Sequence, residues 1–177
     1  NPISCLISRT KTTPLGREKR SKIEDTLSAI REDIFANKNY ETPEYHNVDY
    51  WFEDFVMDEL SVIKHHSLES DDAAIQDFLL TAMSAILVKI SNQESDTRYK
   101  SVDKDISRRD VWRAFYEQVT EMLQTYRDFG KTVSASTVNV HNEDIQEFNL
   151  PDQKVDLVVT SPPYPNSYDY YLYHKHR

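Results

Sequence analysis

The sequence predicts an α/β fold to which this chain contributes mostly helices and only a few strands. Apolar residues recur at helical spacing through most of residues 17–130. The β-branched run Val155–Val159 has the composition of a strand that is buried on both faces of a parallel sheet, and Pro162 and Pro163 end it abruptly. We therefore expect a helical region over residues 17–130, followed by β-strands in residues 131–177.

Four helices are expected in residues 17–130. The first spans Arg17 to Ala36, and its apolar stripe is Ile23, Leu27, Ile30 and Ile34. The second ends near His66, and its stripe is Trp51, Phe52, Phe55, Val56, Leu60 and Ile63. A loop over Tyr40–Val48 separates the two.

The third and fourth helices flank a polar loop, Ser91–Lys100. Asp71 and Asp72 open the third helix, with their carboxylates at its positive end, and Ala74–Ile90 forms its apolar centre. The fourth spans Ser107 to Phe129, before Gly130. Its core stripe is Val111, Trp112, Phe115, Val119, Met122, Leu123 and Tyr126.

Length and composition indicate one soluble domain or part of one, since 177 residues at 38% hydrophobic can bury a single core. Ala82–Val88, the longest apolar stretch, is far shorter than the roughly 20 residues of a membrane span. The single cysteine, Cys5, excludes an internal disulfide framework, is expected to pack in a helix, and fits a reducing cytoplasm. The adjacent His65 and His66 would point in different directions on a helix, so we predict no metal site.

The net charge of −9 is concentrated in one region. Residues 41–77 contain eleven acids and one basic residue, Lys64. Two basic clusters lie outside this region. They consist of Arg9, Lys11, Arg17, Lys19, Arg20 and Lys22, and of Arg98, Lys100, Lys104, Arg108, Arg109 and Arg113. Either cluster could line a nucleic-acid groove, and either could be an ordinary solvated helix face.

The corner Thr160–Tyr164 is the strongest candidate for chemistry. Proline has no N–H group and a fixed φ, so the carbonyl groups of Ser161 and Pro162 are held in place. Together with the Ser161 hydroxyl they form a cluster of acceptors for an –NH2 group, and Tyr164 offers a flat face for a ring. These properties suit a base that carries an amino group.

This corner resembles the signature loop of the DNA methyltransferases that methylate exocyclic amino groups. In that family a hydrophobic strand is followed by Asp, Ser or Asn, then Pro-Pro and an aromatic residue. The form Thr-Ser-Pro-Pro-Tyr is common in the cytosine N(4) branch, so Ser161 favours cytosine N(4) over adenine N(6). The resemblance implies a Rossmann-like sheet that binds S-adenosylmethionine, with residues 17–130 as a large helical insertion and residues 131–177 as β-strands of the catalytic domain. It also implies a catalytic set of Ser161, Pro162, Pro163 and Tyr164.

Three other segments are similar to the same family. Asn1–Thr12 resembles the segment that follows the second cofactor-binding strand, which gives a first unit of residues 1–16. Ser91–Arg98 resembles a polar loop of members with a helical insert. Val138–Asp144 resembles the strand before the signature, and Asp144 then takes the position that contacts the adenine of S-adenosylmethionine.

The resemblance implies double-stranded DNA with a flipped target base as the partner, in a restriction-modification or genome-marking context. The basic residues expected to contact DNA are Arg98, Lys100, Arg108 and Arg109. For the loop 91–100, the alternative is that Asn92, Asp96 and Arg98 cap helices and pair with each other.

The main cofactor loop of the family, Asp-Pro-Phe-x-Gly-x-Gly, has no counterpart, because the two glycines, Gly16 and Gly130, stand in other settings. We therefore expect an internal piece of a longer enzyme, with the missing remainder as a possible partner and little activity alone. Two alternatives stay open: one half of a split methyltransferase, and a non-catalytic helical interaction module.

Overall fold

A computed structural model describes residues 1–95, 98–129, 136–149 and 155–161. The helices in these ranges are α1 (Pro2–Thr12), α2 (Arg17–Phe35), α3 (Val48–Trp51), α4 (Asp54–Leu68), α5 (Ala73–Ile86) and α6 (Arg108–Phe129). The strands are β1 (Gln93–Ser95) and β2 (Arg98–Ser101), which form an antiparallel pair between α5 and α6. The described part of the chain is therefore mostly helical, as the sequence predicted.

Helices α2 and α6 lie within a residue of their predicted limits. All four predicted stripe residues of α2 are buried: Ile23, Leu27, Ile30 and Ile34. In α6, Val111, Phe115 and Val119 are fully buried, while Trp112 and Tyr126 are partly buried against the same core. Long stripes of this kind leave little freedom in how a helix packs, because only one of its faces is apolar.

The second predicted helix is divided in two. Trp51 belongs to the short α3, and Phe52 and Glu53 are extended before α4 begins at Asp54. Trp51 and Phe52 are nevertheless buried at 0% and 3% exposure. They therefore fill the core, as predicted, but from a bend instead of a continuous helix.

Helix α5 begins where the sequence indicated. Asp72 is its N-cap and accepts a hydrogen bond from the backbone N–H of Ala74 at 2.9 Å, which satisfies one of the free donors at the helix start. The helix then packs against α1, α4 and α6, and Ile75, Phe78 and Leu79 are its most buried large side chains. Helix α5 is therefore central to the packing of the described bundle.

Helix α1 is joined to α5 by polar contacts. The Arg9 guanidinium forms two hydrogen bonds with the Asp77 carboxylate, at 2.7 and 3.0 Å. The Thr10 hydroxyl donates to the Asp77 carbonyl at 2.9 Å and lies 2.8 Å from the Thr81 hydroxyl. Cys5 is buried in α1, as expected. Residues 1–16 thus pack directly on the helical region.

The predicted polar loop 91–100 contains the β1–β2 hairpin, which the sequence analysis did not foresee. Asn92 donates its backbone N–H to the Trp51 carbonyl at 2.8 Å and accepts from the Val102 N–H at 2.7 Å. These bonds fix the base of the hairpin against the bend after α3. Asp96, which the alternative for this loop treats as a capping or pairing residue, lies outside the described residues.

Two predicted strands are not formed in the described residues. Val138–Asp144 and Val155–Val159 have no regular secondary structure, and Leu157, Val158 and Val159 are 79%, 76% and 86% exposed. A β-branched run becomes a buried strand only if other strands pair with it on both sides. The described ranges provide no such neighbour, since their β-structure is the single hairpin. The described residues therefore do not show the predicted Rossmann-like sheet.

None of the helices in the described ranges combines the length and the apolar character needed to cross a bilayer.

Candidate functional site

Ser161 is the one member of the predicted catalytic set that lies within the described residues. It is exposed and follows the exposed apolar segment 155–159. Pro162, Pro163 and Tyr164 lie outside the described residues. The signature loop therefore stays a prediction from sequence, and the structure adds that the Ser161 side chain is accessible.

Asp144, the predicted cofactor contact, is exposed in a turn. Its carboxylate accepts the backbone N–H of Gln146 at 2.9 Å, and its carbonyl accepts that of Glu147 at 3.0 Å. The carboxylate thus shapes its own turn, an arrangement that Asp side chains favour. One hydrogen bond leaves it acceptor capacity for a further donor.

The Asp144 segment contacts the start of α1. The Cys5 thiol donates to the His141 carbonyl at 3.5 Å, and the Asn1 backbone nitrogen donates to Asn142 Oδ1 at 3.1 Å. Two segments separated by most of the chain are therefore brought together. The resemblance places one of them after the second cofactor-binding strand and gives the other the contact with the adenine of S-adenosylmethionine.

Arg98 and Lys100 lie on β2 and share one carboxylate. Both pair with Glu94 of β1, at 3.1 and 3.2 Å, and their side chains are 72% and 66% exposed. The two cations lower the pKa of Glu94. Over residues 93–101 the two cations are balanced by Glu94 and Asp96, so the hairpin sequence has no net charge. The accessible side chains of Arg98 and Lys100 are the feature that suits a phosphate contact.

Arg108 and Arg109 lie on a different element, the first turn of α6. Arg108 lies over the Phe55 ring, with its guanidinium carbon 5.5 Å from the ring centroid, and donates to Asn37 Oδ1 at 3.3 Å. Arg109 is exposed. The structure therefore divides the four predicted DNA contacts between the hairpin and the start of α6.

The two arginines line a cavity of about 160 Å³ that also contains a buried acid, Glu59 of α4. Glu59 is 2% exposed, and within the described part of the chain neither of its carboxylate oxygens has a hydrogen-bond partner. Burial raises the pKa of Glu59 to about 7, although the nearby positive charge of Arg108 opposes the shift. A buried carboxylate without a partner is costly and is often found at a functional site.

Sequence reasoning missed Glu59, which it counted only among the acids of residues 41–77. The spacing of Glu59 in the sequence did contain a signal. Glu59 lies four residues after Phe55 and four before Ile63, so it occupies the apolar face of α4. An acid at that position is either buried or in contact with a neighbouring element, and the pattern does not indicate which.

Three of the six residues of the N-terminal basic cluster pair with acids. Arg9 pairs with Asp77, and Lys19 lies 2.9 Å from Asp72. Lys22 pairs with Glu18 of its own helix. The solvated-face interpretation therefore fits these three residues better than a nucleic-acid groove does.

A polar cluster around Asp33 joins α2, α4 and the loop between them. The Asp33 carboxylate lies 2.7 Å from Lys38 Nζ, 2.9 Å from the Tyr40 hydroxyl and 3.0 Å from His66 Nε2. The Tyr40 ring stacks on His65 with centroids 3.6 Å apart. The two histidines thus take part in the packing of α4 against the Tyr40 loop. The described ranges contain no group of His, Cys, Asp and Glu side chains suited to a metal ion.

The Asp33→Asn variant is expected to lose about 2 kcal/mol of unfolding free energy at pH 7. The hydrogen bond from Lys38, followed by those from His66 and Tyr40, lowers the pKa of Asp33 from 3.8 to about 2. A lowered carboxyl pKa stabilises the fold above pH 4, and this stabilisation is lost as the pH falls from about 4 to about 2. Urea unfolding between pH 2 and 7 should therefore show the two proteins converging at the acid end. Asp25→Asn, an exposed position on the same helix, should show no such convergence.

The chain is similar to one characterised protein across almost its whole length. It is 27% identical over 186 aligned positions to the type II methyltransferase M.MvaI of Kocuria varians. The alignment covers 94% of this chain and 40% of that protein, so the chain spans less than half the length of its relative. No family model matches the chain. No solved structure matches it either. The comparisons therefore relate the chain, at a distance, to a type II methyltransferase.

Proposed function

We propose that this chain is part of a DNA methyltransferase that transfers a methyl group from S-adenosylmethionine to the exocyclic amino group of a flipped base. Cytosine N(4) is favoured over adenine N(6), because Ser161 stands at the first position of the signature loop. The observation that carries the proposal is the similarity to a type II methyltransferase over 94% of the chain. The Ser-Pro-Pro-Tyr corner, which was identified independently of that similarity, supports it.

The proposed chemistry depends on acceptors that face the target amine. The lone pair of an aromatic amine is delocalised into its ring, so the nitrogen is a poor nucleophile. Hydrogen bonds from its two protons to the Ser161 hydroxyl and the Pro162 carbonyl favour a pyramidal nitrogen, whose lone pair is then available. Tyr164 stacks on the base, which must leave the duplex to reach these groups.

S-adenosylmethionine supplies the methyl group in this proposal. Asp144 offers an exposed carboxylate that can accept a hydrogen bond from the adenine amino group, and its segment lies against the start of α1. The described residues around Asp144 form a turn and not a sheet. In this proposal they therefore contact only the adenine end of the cofactor. We therefore assign Asp144 a binding role and no part in the methyl transfer.

The proposal is tested with Ser161→Ala and Tyr164→Ala in the full-length protein that carries this chain. Each substitution should reduce the methylation rate about tenfold or more, because each removes an interaction with the target base. Cofactor affinity should stay within about twofold, since neither side chain is assigned to the cofactor. Methylation is measured as transfer of a labelled methyl group to DNA, and cofactor affinity by calorimetry.

Ser28→Ala is the matched control, because Ser28 is an exposed serine of α2. It should leave both quantities unchanged. Unchanged methylation in both signature variants would contradict the proposed roles and would favour the non-catalytic interaction module. Equal losses of methylation and of cofactor binding would instead place the loop at the cofactor.

A further inference from the structure

The cavity between α2, α4 and α6 combines one buried carboxylate with two arginines and two aromatic side chains. Glu59 lies on its α4 side, and Arg108, Arg109 and Trp112 belong to α6. Phe35, at the end of α2, is 57% exposed, and Arg109 is exposed as well, so the cavity has an outward-facing side. Its volume of about 160 Å³ is below the roughly 300–1,000 Å³ of sites for drug-sized ligands, so it suits one small ring system.

The charges restrict what can bind there. Both oxygens of Glu59 need hydrogen-bond donors, because no donor of the described residues reaches them. Arg108 is close enough to oppose the burial effect on Glu59, yet it donates to Asn37 Oδ1 at 3.3 Å. Two neighbouring guanidinium groups repel a cationic ligand and attract an anionic one. The fitting ligand therefore carries neutral N–H donors on a flat ring and a negative charge nearby, which is the chemistry of a nucleotide.

We propose that this cavity binds the guanine base of a DNA nucleotide, with Glu59 accepting two hydrogen bonds from the base and Arg109 contacting a phosphate. The inference rests on the proposed function in taking DNA as the partner. Guanine presents two neighbouring donors, N1–H and the 2-amino group, which match the two oxygens of a carboxylate. Both donors pair with cytosine in a duplex, so the guanine bound here is an unpaired one, distinct from the flipped target base. Trp112 and Phe35 offer aromatic surfaces to the ring.

The other bases fit less well. Adenine and cytosine present one amino donor beside a ring nitrogen acceptor, and this acceptor would face the second carboxylate oxygen. Thymine presents one N–H between two carbonyl acceptors. Since every lone pair that faces the carboxylate is repelled, an ionised Glu59 selects guanine.

The experiment measures binding of deoxynucleoside monophosphates to the full-length protein that carries this chain, at pH 8 and by calorimetry. The guanine nucleotide should bind at least tenfold more tightly than the adenine nucleotide. The hypoxanthine nucleotide, which lacks the 2-amino group, should fall between them. Glu59→Gln should weaken guanine binding at least tenfold and leave adenine binding unchanged or stronger, because an amide offers one donor and one acceptor.

Two further variants test the remaining contacts. Arg109→Gln should weaken all the nucleotides alike and reduce the dependence of binding on salt, as expected for a phosphate contact. Glu121→Gln, an exposed position on α6, should change nothing. Far-ultraviolet circular dichroism at the binding temperature verifies that each variant is folded.

Equal affinity for guanine and adenine, unchanged binding in Glu59→Gln, or no binding of any nucleotide would overturn the proposal. A single-stranded oligonucleotide with one guanine should displace the bound nucleotide, whereas the same strand with inosine should do so less well. A site that binds the free nucleotide and ignores the oligonucleotide would refute DNA as the source of the base. These measurements involve no methyl transfer, so their failure is distinguishable from failure of the proposed function.

Discussion

Replacing Phe78 with alanine is expected to lower the free energy of unfolding by about 4 kcal/mol. Phe78 is 1% exposed in α5, the helix that packs against α1, α4 and α6. Its ring meets that of Tyr126 of α6 edge to face, with centroids 5.6 Å apart. The substitution therefore removes both a buried side chain and an aromatic contact between two helices. Urea unfolding followed by circular dichroism measures the loss.

Phe129→Ala is the matched control, because Phe129 at the end of α6 is 53% exposed. It should change the unfolding free energy by less than about 1 kcal/mol. A small domain has about 5–15 kcal/mol of stability, so Phe78→Ala should remove a large share of it. A loss below about 1 kcal/mol for Phe78→Ala would contradict the helix packing described for α5.

The helices that sequence predicted well are those whose burial is decided within a single helix. Ile23, Leu27, Ile30 and Ile34 form one stripe, and the face they define is buried whichever helix packs on it. The start of helix α5 is likewise decided by neighbouring residues. Asp72 stands directly before an apolar segment, and its side chain caps the helix that begins at Ala73.

The structure departs from the sequence-based expectations where the outcome depends on distant partners. Val155–Val159 has the composition of a buried strand, and its described residues are exposed because no described strand pairs with them. The β1–β2 hairpin is the opposite case, because it forms strands where the local pattern predicts none. Its residues are polar and follow no strand period, yet hydrogen bonds from Asn92 to the Trp51 carbonyl and from Val102 to Asn92 fix its base. Neither partner can be identified from the local pattern.

The residues of the candidate site also differ in how far the local sequence indicates their environment. Residue chemistry alone makes Ser161 a candidate, because two prolines follow it and hold its carbonyl group in place, and its role stays a prediction. The interpretation of Arg98 and Lys100 needed the structure, which places both beside Glu94 with their side chains exposed. Glu59 needed it most, since the cost of burying a carboxylate depends on every element packed around it.

Replacing Glu59 with glutamine is expected to stabilise the protein at pH 8 by about 3 kcal/mol more than at pH 4. Burial raises the pKa of Glu59 from 4.5 to about 7, although Arg108 opposes the shift and Asp58 adds to it. The folded state therefore binds more protons than the unfolded state between pH 4.5 and 7, and wild-type stability falls as the pH rises through that window. Glutamine does not titrate, so the variant lacks this decline. Urea unfolding of both proteins at several pH values measures the difference.

Glu121→Gln applies the same chemical change at an exposed position of α6 and should leave the pH dependence of stability unaltered. A difference between Glu59→Gln and wild type that stays constant from pH 4 to 8 would show that the carboxyl group keeps its ordinary pKa in the folded state. A difference that grows with pH and then shrinks when guanine nucleotide is added would connect the two roles of Glu59. The ligand would then supply hydrogen-bond donors to the Glu59 carboxylate, which has none in the described residues. Ligand binding would thereby offset the cost of burying the ionised carboxylate.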